Sequence, residues 1–130
     1  MSLLSLRNVL AACGISVLAA ACSSTPSVEL GTAQVGAYTF EISREGDAPT
    51  AGVSTRFVVK PTAGGMPTSV TGWVGTATGE GSVKVLAVYD AADGDFDDDV
   101  TVPSPLPDGS KFYFDVVSAA ATGTGSVDLK

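Results

Sequence analysis

An acidic segment at residues 90–99, DAADGDFDDD, holds the highest density of residues that could do chemistry. Hard cations such as Ca²⁺ take about six to eight oxygen ligands, and closely spaced carboxylates around a glycine can supply several of them. Asp93, Asp95 and Asp97 match the first three alternating ligands of an EF-hand loop. These three aspartates are therefore the candidate metal ligands, with Ca²⁺ as the candidate ion.

The rest of the segment departs from the EF-hand pattern. Asp98 stands where that loop requires glycine, and Ser104 stands where it requires a bidentate glutamate. No helical spacing flanks the segment either. The alternative is a solvated hairpin whose charges protect an edge strand and keep the domain soluble.

The position of Phe96 predicts how the charges are arranged. If Phe96 points into the core from a strand, Asp95, Asp97 and Asp99 share the opposite face. Like charges along one strand face repel unless a cation or a basic residue relieves them. The sequence therefore leaves both the metal site and the solvated hairpin open.

Missing residue types exclude most catalytic chemistry. The chain contains no histidine, and its two cysteines lie at positions 13 and 22. Ser–His and Cys–His nucleophiles and histidine-based zinc sites are therefore excluded. Paired carboxylates act as acid and base when a cleft desolvates one of them, whereas these acids are expected mainly in turns and at strand ends. We predict that the chain is not an enzyme and has no cofactor other than the candidate Ca²⁺.

The net charge of −7 restricts the partners that the chain can bind. Proteins that bind nucleic acid cluster lysine and arginine to neutralise phosphates, so no nucleic-acid partner is expected. Anionic lipid headgroups should also repel so acidic a domain. Attachment to a membrane would therefore need a covalent anchor.

Three aromatic residues are candidates for a recognition surface. Trp73, Tyr89 and Tyr113 would supply contact area at a low cost in entropy if they lay on an exposed sheet. Core packing is the commoner role, and Trp73 between Val70 and Val74 fits that role.

The N-terminal segment has the features of an export signal. Arg7 supplies a positive charge, and residues 9–21 form an apolar run that ends in small residues. That run is shorter than the about 20 residues of a transmembrane helix and fits the about 7–15 residues of a signal h-region. We predict a cleaved signal peptide over residues 1–21.

The signal ends in residues 18–22, LAAAC, which resemble a bacterial lipobox, where a cysteine is diacylated before the signal is removed. Ala19 holds the place where a lipobox prefers a branched apolar residue. The residues before Cys13 match the lipobox sequence more closely, but the segment between Arg7 and Cys13 is too short to be a signal h-region. The resemblance implies lipid on Cys22, with residues 22–27 as the lipidated cysteine and a short tether. The alternative is an ordinary secretory signal with a bystander cysteine.

The body of the chain, residues 28–130, has the pattern of short β-strands. Apolar and polar residues alternate at period two, and Gly, Pro and Asp interrupt them every eight to twelve residues or so. Val102 should end its strand because prolines follow it, and residues 119–125 are predicted to be a flexible hairpin loop. We predict an all-β, immunoglobulin-like antiparallel sandwich of seven or eight short strands, with a small closed barrel second. The strands that can be assigned are residues 38–43, 53–59, 70–74, 83–89, 96–102, 112–117 and 126–129.

Four segments resemble small secreted bacterial β-sandwich domains of the YtkA-like kind: residues 73–76 (WVGT), 81–84 (GSVK), 102–110 (VPSPLPDGS) and 125–130 (GSVDLK). The resemblance implies the sandwich fold. Many such domains are rich in histidine, which suggests metal handling. This chain has no histidine, so the resemblance implies no copper or zinc site here.

Together these patterns predict a non-enzymatic binding or structural module of the cell envelope, anchored by lipid, with a possible protein partner. No aspartate follows Cys22, so the sorting pattern implies the outer membrane, facing the periplasm or the cell surface, or the cell membrane of a host without an outer membrane. The alternative function is a protein that binds divalent cations weakly through residues 90–99.

Overall fold

The computed structural model describes residues 25–119 and 122–130. The predicted signal peptide and Cys22 lie outside these residues. Within them no helix is long and apolar enough to cross a membrane. The described chain forms nine strands: β1 (Ser27–Val35), β2 (Tyr38–Glu45), β3 (Ser54–Ala63), β4 (Ser69–Gly75), β5 (Val85–Leu86), β6 (Val88–Asp90), β7 (Asp95–Thr101), β8 (Lys111–Val117) and β9 (Thr122–Asp128).

The strands form two antiparallel sheets packed as a sandwich, which confirms the predicted fold class. The first sheet has the order β1-β2-β3-β7-β6, and the second has the order β5-β4-β8-β9. Strands β2-β3-β7-β6 correspond to the ABED sheet of an immunoglobulin domain, and β4-β8-β9 correspond to its CFG sheet. Strand β1 extends the first sheet beyond strand A, and β5 takes the place of the C′ strand.

The core lies between the sheets and depends on aromatic pairs that join them. Phe57 of β3 stacks on Phe112 of β8 with ring centroids 4.2 Å apart. Phe40 of β2 meets Phe114 of β8 edge to face at 5.3 Å. All four side chains are fully buried, and each such burial stabilises the fold by about 1.5–3 kcal/mol.

The segment predicted as one strand at residues 83–89 is divided between the sheets. Strand β5 pairs with β4 and β6 pairs with β7, so the chain crosses from one sheet to the other near Ala87. The N–H of Ala87 donates to the carbonyl oxygen of Val70 at 2.8 Å. This division adds one strand, and β1, which is not among the strands assigned from the sequence, adds another. The described chain therefore has nine strands, whereas seven or eight were predicted.

Strand β9 corrects the prediction of a flexible loop at residues 119–125. It begins at Thr122 and pairs with β8 along its whole length. Its glycines give it a loop-like composition, but they are needed for packing. A Cβ atom on Gly123 would lie 2.6 Å from Val35, and one on Gly125 would lie 2.6 Å from the Phe114 ring. The sheet therefore overrides the weak strand propensity of these residues.

Strand β7 ends at Thr101, one residue before the predicted end at Val102. Val102 still donates its N–H to the carbonyl oxygen of Val53, and its own carbonyl accepts from Gly52. Pro103 lacks the N–H that would continue the ladder.

The two ends of the described chain lie at one end of the sandwich. The N–H of Gly46 donates to Pro26 at 2.9 Å, and the buried guanidinium of Arg44 donates to the carbonyl oxygens of Gly46 and Lys130. The register of the first sheet places the β6–β7 hairpin at the opposite end, beside the β1–β2 turn. The turn of the β6–β7 hairpin therefore lies at the end of the first sheet opposite the start of β1.

Candidate functional site

Three carboxylates come together on the outer face of the first sheet. Asp90 of β6 is the cross-strand partner of Asp95 in β7, and Asp97 lies two residues further along the same face. One carboxylate oxygen of each lies within 4.8 Å of the others. The structure thus brings together two of the predicted ligands, Asp95 and Asp97, and the third is Asp90 in place of Asp93.

The turn of the β6–β7 hairpin explains this correction. The N–H of Ala92 donates to Oδ1 of Asp90 at 2.9 Å, and the N–H of Gly94 donates to the Asp90 carbonyl at 2.8 Å. Gly94 has a φ of 71°, which glycine adopts without strain. Asp93 is exposed within this turn. EF-hand spacing assumes a loop, whereas strand pairing groups residues by cross-strand register.

Asp95 is buried although it lies on the outer face. Its relative exposure is 8%, and its Oδ1 atom has no hydrogen-bond partner. Burial, together with the charges of Asp97, Asp93 and Asp90, raises the pKa of Asp95 to about 6. Burial likewise raises the pKa of Asp97. The alternative of a fully solvated hairpin is therefore wrong for Asp95.

Asp99 shares this face but is neutralised separately. Its carboxylate accepts two hydrogen bonds from the guanidinium of Arg56, at 3.1 and 3.2 Å. These bonds lower the pKa of Asp99. The predicted row of three like charges is thus split, because Arg56 pairs with Asp99 while Asp95 and Asp97 remain together beside Asp90.

Asp98 lies between the sheets, where no charged residue is expected. It is 3% exposed, and neither of its oxygens has a hydrogen-bond partner. Burial, together with the charges of Asp99 and Asp97, raises the pKa of Asp98 to about 7. The absence of a side chain on Gly72 makes room for Oδ2. The alternation of the sequence does indicate this inward position, because Phe96, Asp98 and Val100 share one face of the strand.

Trp73 is buried, as the predicted packing role requires, but it lies outside the central core cluster. It is 1% exposed, so it is not part of a recognition surface. It points to the outer side of the second sheet, where it stacks on Tyr113 at 5.6 Å and lies under Lys84, whose Nζ is 4.1 Å from the ring centroid. Its indole N–H donates to the carbonyl of Thr76 at 2.8 Å. The loop between β4 and β5 thus covers it outside the central core.

A second surface feature is a run of exposed apolar side chains at residues 83–89. Val83, Leu86, Val88 and Tyr89 are each 45% or more exposed. Val83 precedes β5, and the other three lie in the two shortest strands, at the sandwich edge where the chain changes sheets. Exposed apolar side chains that form one patch are typical of contact surfaces, and these four are neighbours along the chain. Of the three aromatics considered for recognition, only Tyr89 belongs to this run.

Comparison of the chain with protein-family models, with curated proteins and with solved structures gave no match. The resemblance to YtkA-like domains therefore stays a prediction. What the described residues offer chemically is a group of hard oxygen donors on one sheet face, an isolated buried carboxyl in the core and an apolar edge.

Proposed function

We propose that the chain is a lipid-anchored, non-enzymatic protein of the cell envelope, attached through Cys22 and acting as a binding or structural module. The observation that carries the proposal is where the sandwich begins. Strand β1 starts at Ser27, five residues after Cys22. A tether of that length would hold the folded domain close to the bilayer.

The energetics of the anchor support firm attachment. Each buried CH₂ of an acyl chain contributes about 0.8 kcal/mol, so one chain binds marginally and two or more bind stably. Lipidation would also consume the thiol of Cys22. Without histidine, and with the other cysteine inside the signal, the mature domain would lack a thiol nucleophile, a histidine base and soft metal ligands.

The apolar run at residues 83–89 supports a binding role. Edge strands as short as β5 and β6 do not template further sheet pairing well, so side-chain contacts would dominate an interface there. A protein partner in the envelope is the proposed ligand. The absence of aspartate after Cys22 supports the outer membrane as the location.

Substitution of the lipidated cysteine tests the anchor. We expect Cys22→Ser to remove the mass of the acyl chains and to leave the signal uncleaved, since a lipobox cysteine is diacylated before the signal is removed. Cys13→Ser is the matched control, since it also replaces one thiol in the leader, and it should leave both properties unchanged. Acyl mass that persists on the Cys22→Ser chain would refute the proposal.

A further inference from the structure

We propose that Asp90, Asp95 and Asp97 form a binding site for one Ca²⁺ ion on the outer face of the first sheet. The geometry of the oxygens is the first support. They lie within 4.8 Å of one another, and two ligands on opposite sides of a Ca²⁺ ion are separated by about 4.8 Å when each bond is about 2.4 Å. Three oxygens no further apart than this need only small side-chain movements to reach one ion.

Asp95 supplies a second and separate support. A carboxylate that is nine-tenths buried normally accepts hydrogen bonds from its neighbours, yet Oδ1 of Asp95 has no partner. Its carboxyl group belongs to the cluster itself. A bound cation would satisfy this oxygen, which otherwise carries the full cost of desolvation.

The charges around the cluster leave room for a cation. Among the described residues the ion pairs are Arg56–Asp99, Lys84–Asp115 and Lys111–Asp128, and none includes a member of the cluster. The charge of Lys60 has only a weak effect on Asp95. The charge of Arg56 also acts on Asp97, but the Arg56 guanidinium is hydrogen-bonded to Asp99. The nearby groove of about 330 Å³ adds Glu29 and Glu41 beside Lys60.

The ligand set indicates which ion would bind and how tightly. Three carboxylates give about half of the six to eight oxygens that Ca²⁺ takes, and water would supply the rest. Mg²⁺ has shorter bonds of about 2.0–2.1 Å and demands a stricter geometry, so it fits this wider group less well. Partial coordination at a solvent-facing site is typical of extracellular modules with Kd of about 10⁻⁴–10⁻³ M.

Thermal unfolding of the full chain in detergent tests the site, with metal removed beforehand. We expect about 5 mM CaCl₂ to raise Tm by at least about 4 °C if Kd lies in that range, and MgCl₂ to raise it less. Asp97→Asn should abolish most of the Ca²⁺-dependent rise. Asp95→Asn should abolish it too, and should raise Tm in the absence of metal because it removes a buried charge.

Asp93→Asn is the matched control, since it removes one negative charge from the same hairpin without touching the cluster. It should retain the Ca²⁺ response. Equal losses in Asp93→Asn and Asp97→Asn would show only diffuse charge screening and would overturn the site. No rise with Ca²⁺, or a rise with Mg²⁺ that equals or exceeds it, would overturn the assignment of calcium. The same Ca²⁺ titration can be carried out on the Cys22→Ser chain, which has no lipid. The Ca²⁺ site and the lipid anchor can therefore fail independently of each other.

Discussion

At the scale of single residues, Asp98 couples folding to pH. Its carboxyl group lies against the backbone of Gly72, between two apolar sheets, without a hydrogen-bond partner. Burial favours the neutral form and raises the pKa from 3.8 to about 7. Between these two values the folded chain binds a proton that the unfolded chain has released. Stability is therefore highest below about pH 4 for this group and is lost as the pH rises to about 7.

We predict that Asp98→Asn removes most of this pH dependence. The wild-type free energy of unfolding should fall by about 2–3 kcal/mol between about pH 5 and pH 8, at about 1.4 kcal/mol for each pH unit below the folded pKa. The variant should match the wild type near pH 5 and exceed it near pH 8. Urea midpoints at the two pH values measure the difference.

Asp108→Asn is the control for that experiment, because it removes the same charge from an exposed turn. Its midpoints should follow the wild type at both pH values. A pH dependence that persists unchanged in Asp98→Asn would show that another group carries it. Asp95 contributes in the same direction, since burial also raises its pKa, to about 6, so the Asp98→Asn variant should keep a residual slope about half as large as the contribution of Asp98.

At the scale of elements, the turn after β3 packs against the β1–β2 turn through one glycine. Gly64 and Gly65 have nearly equal φ values of 92° and 91°. A Cβ atom on Gly64 would overlap the carbonyl oxygen of Ala37 and lie 2.8 Å from Cα of Tyr38, whereas one on Gly65 would meet nothing within 4 Å. The two positions share the backbone requirement and differ in packing.

This pair separates backbone strain from steric contact. Each alanine substitution should cost about 1–2 kcal/mol for an unfavourable φ. Gly64→Ala should cost at least about 1 kcal/mol more than Gly65→Ala, because the two turns must move apart. Thermal melting of both variants measures the gap. Equal melting temperatures would mean that the turns are not packed as described.

The alternation of residues was sufficient to predict most strands but not how they are joined. Apolar residues at period two gave β2, β3, β4 and β8 with small errors at their ends. The division of residues 83–89 could not be read, because a crossing between sheets preserves local alternation. Strand β9 was obscured because its glycines are selected by packing against Phe114 and Val35 rather than by propensity.

The candidate site was predictable to a similar extent. Asp95 and Asp97 follow from spacing along one strand. Asp90 required the register of the β6–β7 hairpin, since only pairing places it opposite Asp95. Asp98 is two residues from Phe96 and so lies on the same face of its strand, but a charged residue is not expected in a core. The space that Gly72 leaves for Asp98 on the facing sheet exists only in the folded chain.

At the scale of the whole molecule, strand direction gives the anchored domain a polarity. Strand β1 leads away from Ser27 for nine residues, a length of roughly 30 Å. The β6–β7 hairpin lies at the far end, and the β2–β3 turn lies at the end that carries Pro26. If lipid is attached at Cys22, the acidic hairpin faces away from the membrane.

Depth-dependent quenching tests this polarity. A fluorophore on Asp47→Cys, in the β2–β3 turn, should be quenched by spin-labelled lipids more strongly than one on Asp93→Cys, and both positions are exposed. The introduced cysteine would be the only free thiol in the lipidated chain, so labelling is selective. Equal quenching at the two positions would mean that the domain lies flat or tumbles freely on its tether.

The position of Trp73 determines what an optical signal from this protein can report. It is the only tryptophan in the sequence, and it is held by Thr76, Tyr113 and Lys84 rather than by the aromatic pairs that join the sheets. Its emission should therefore be blue-shifted and protected from quenchers in the native state. Displacement of the β4–β5 loop would redden the emission before the sandwich itself opened, so fluorescence and circular dichroism should give different unfolding midpoints.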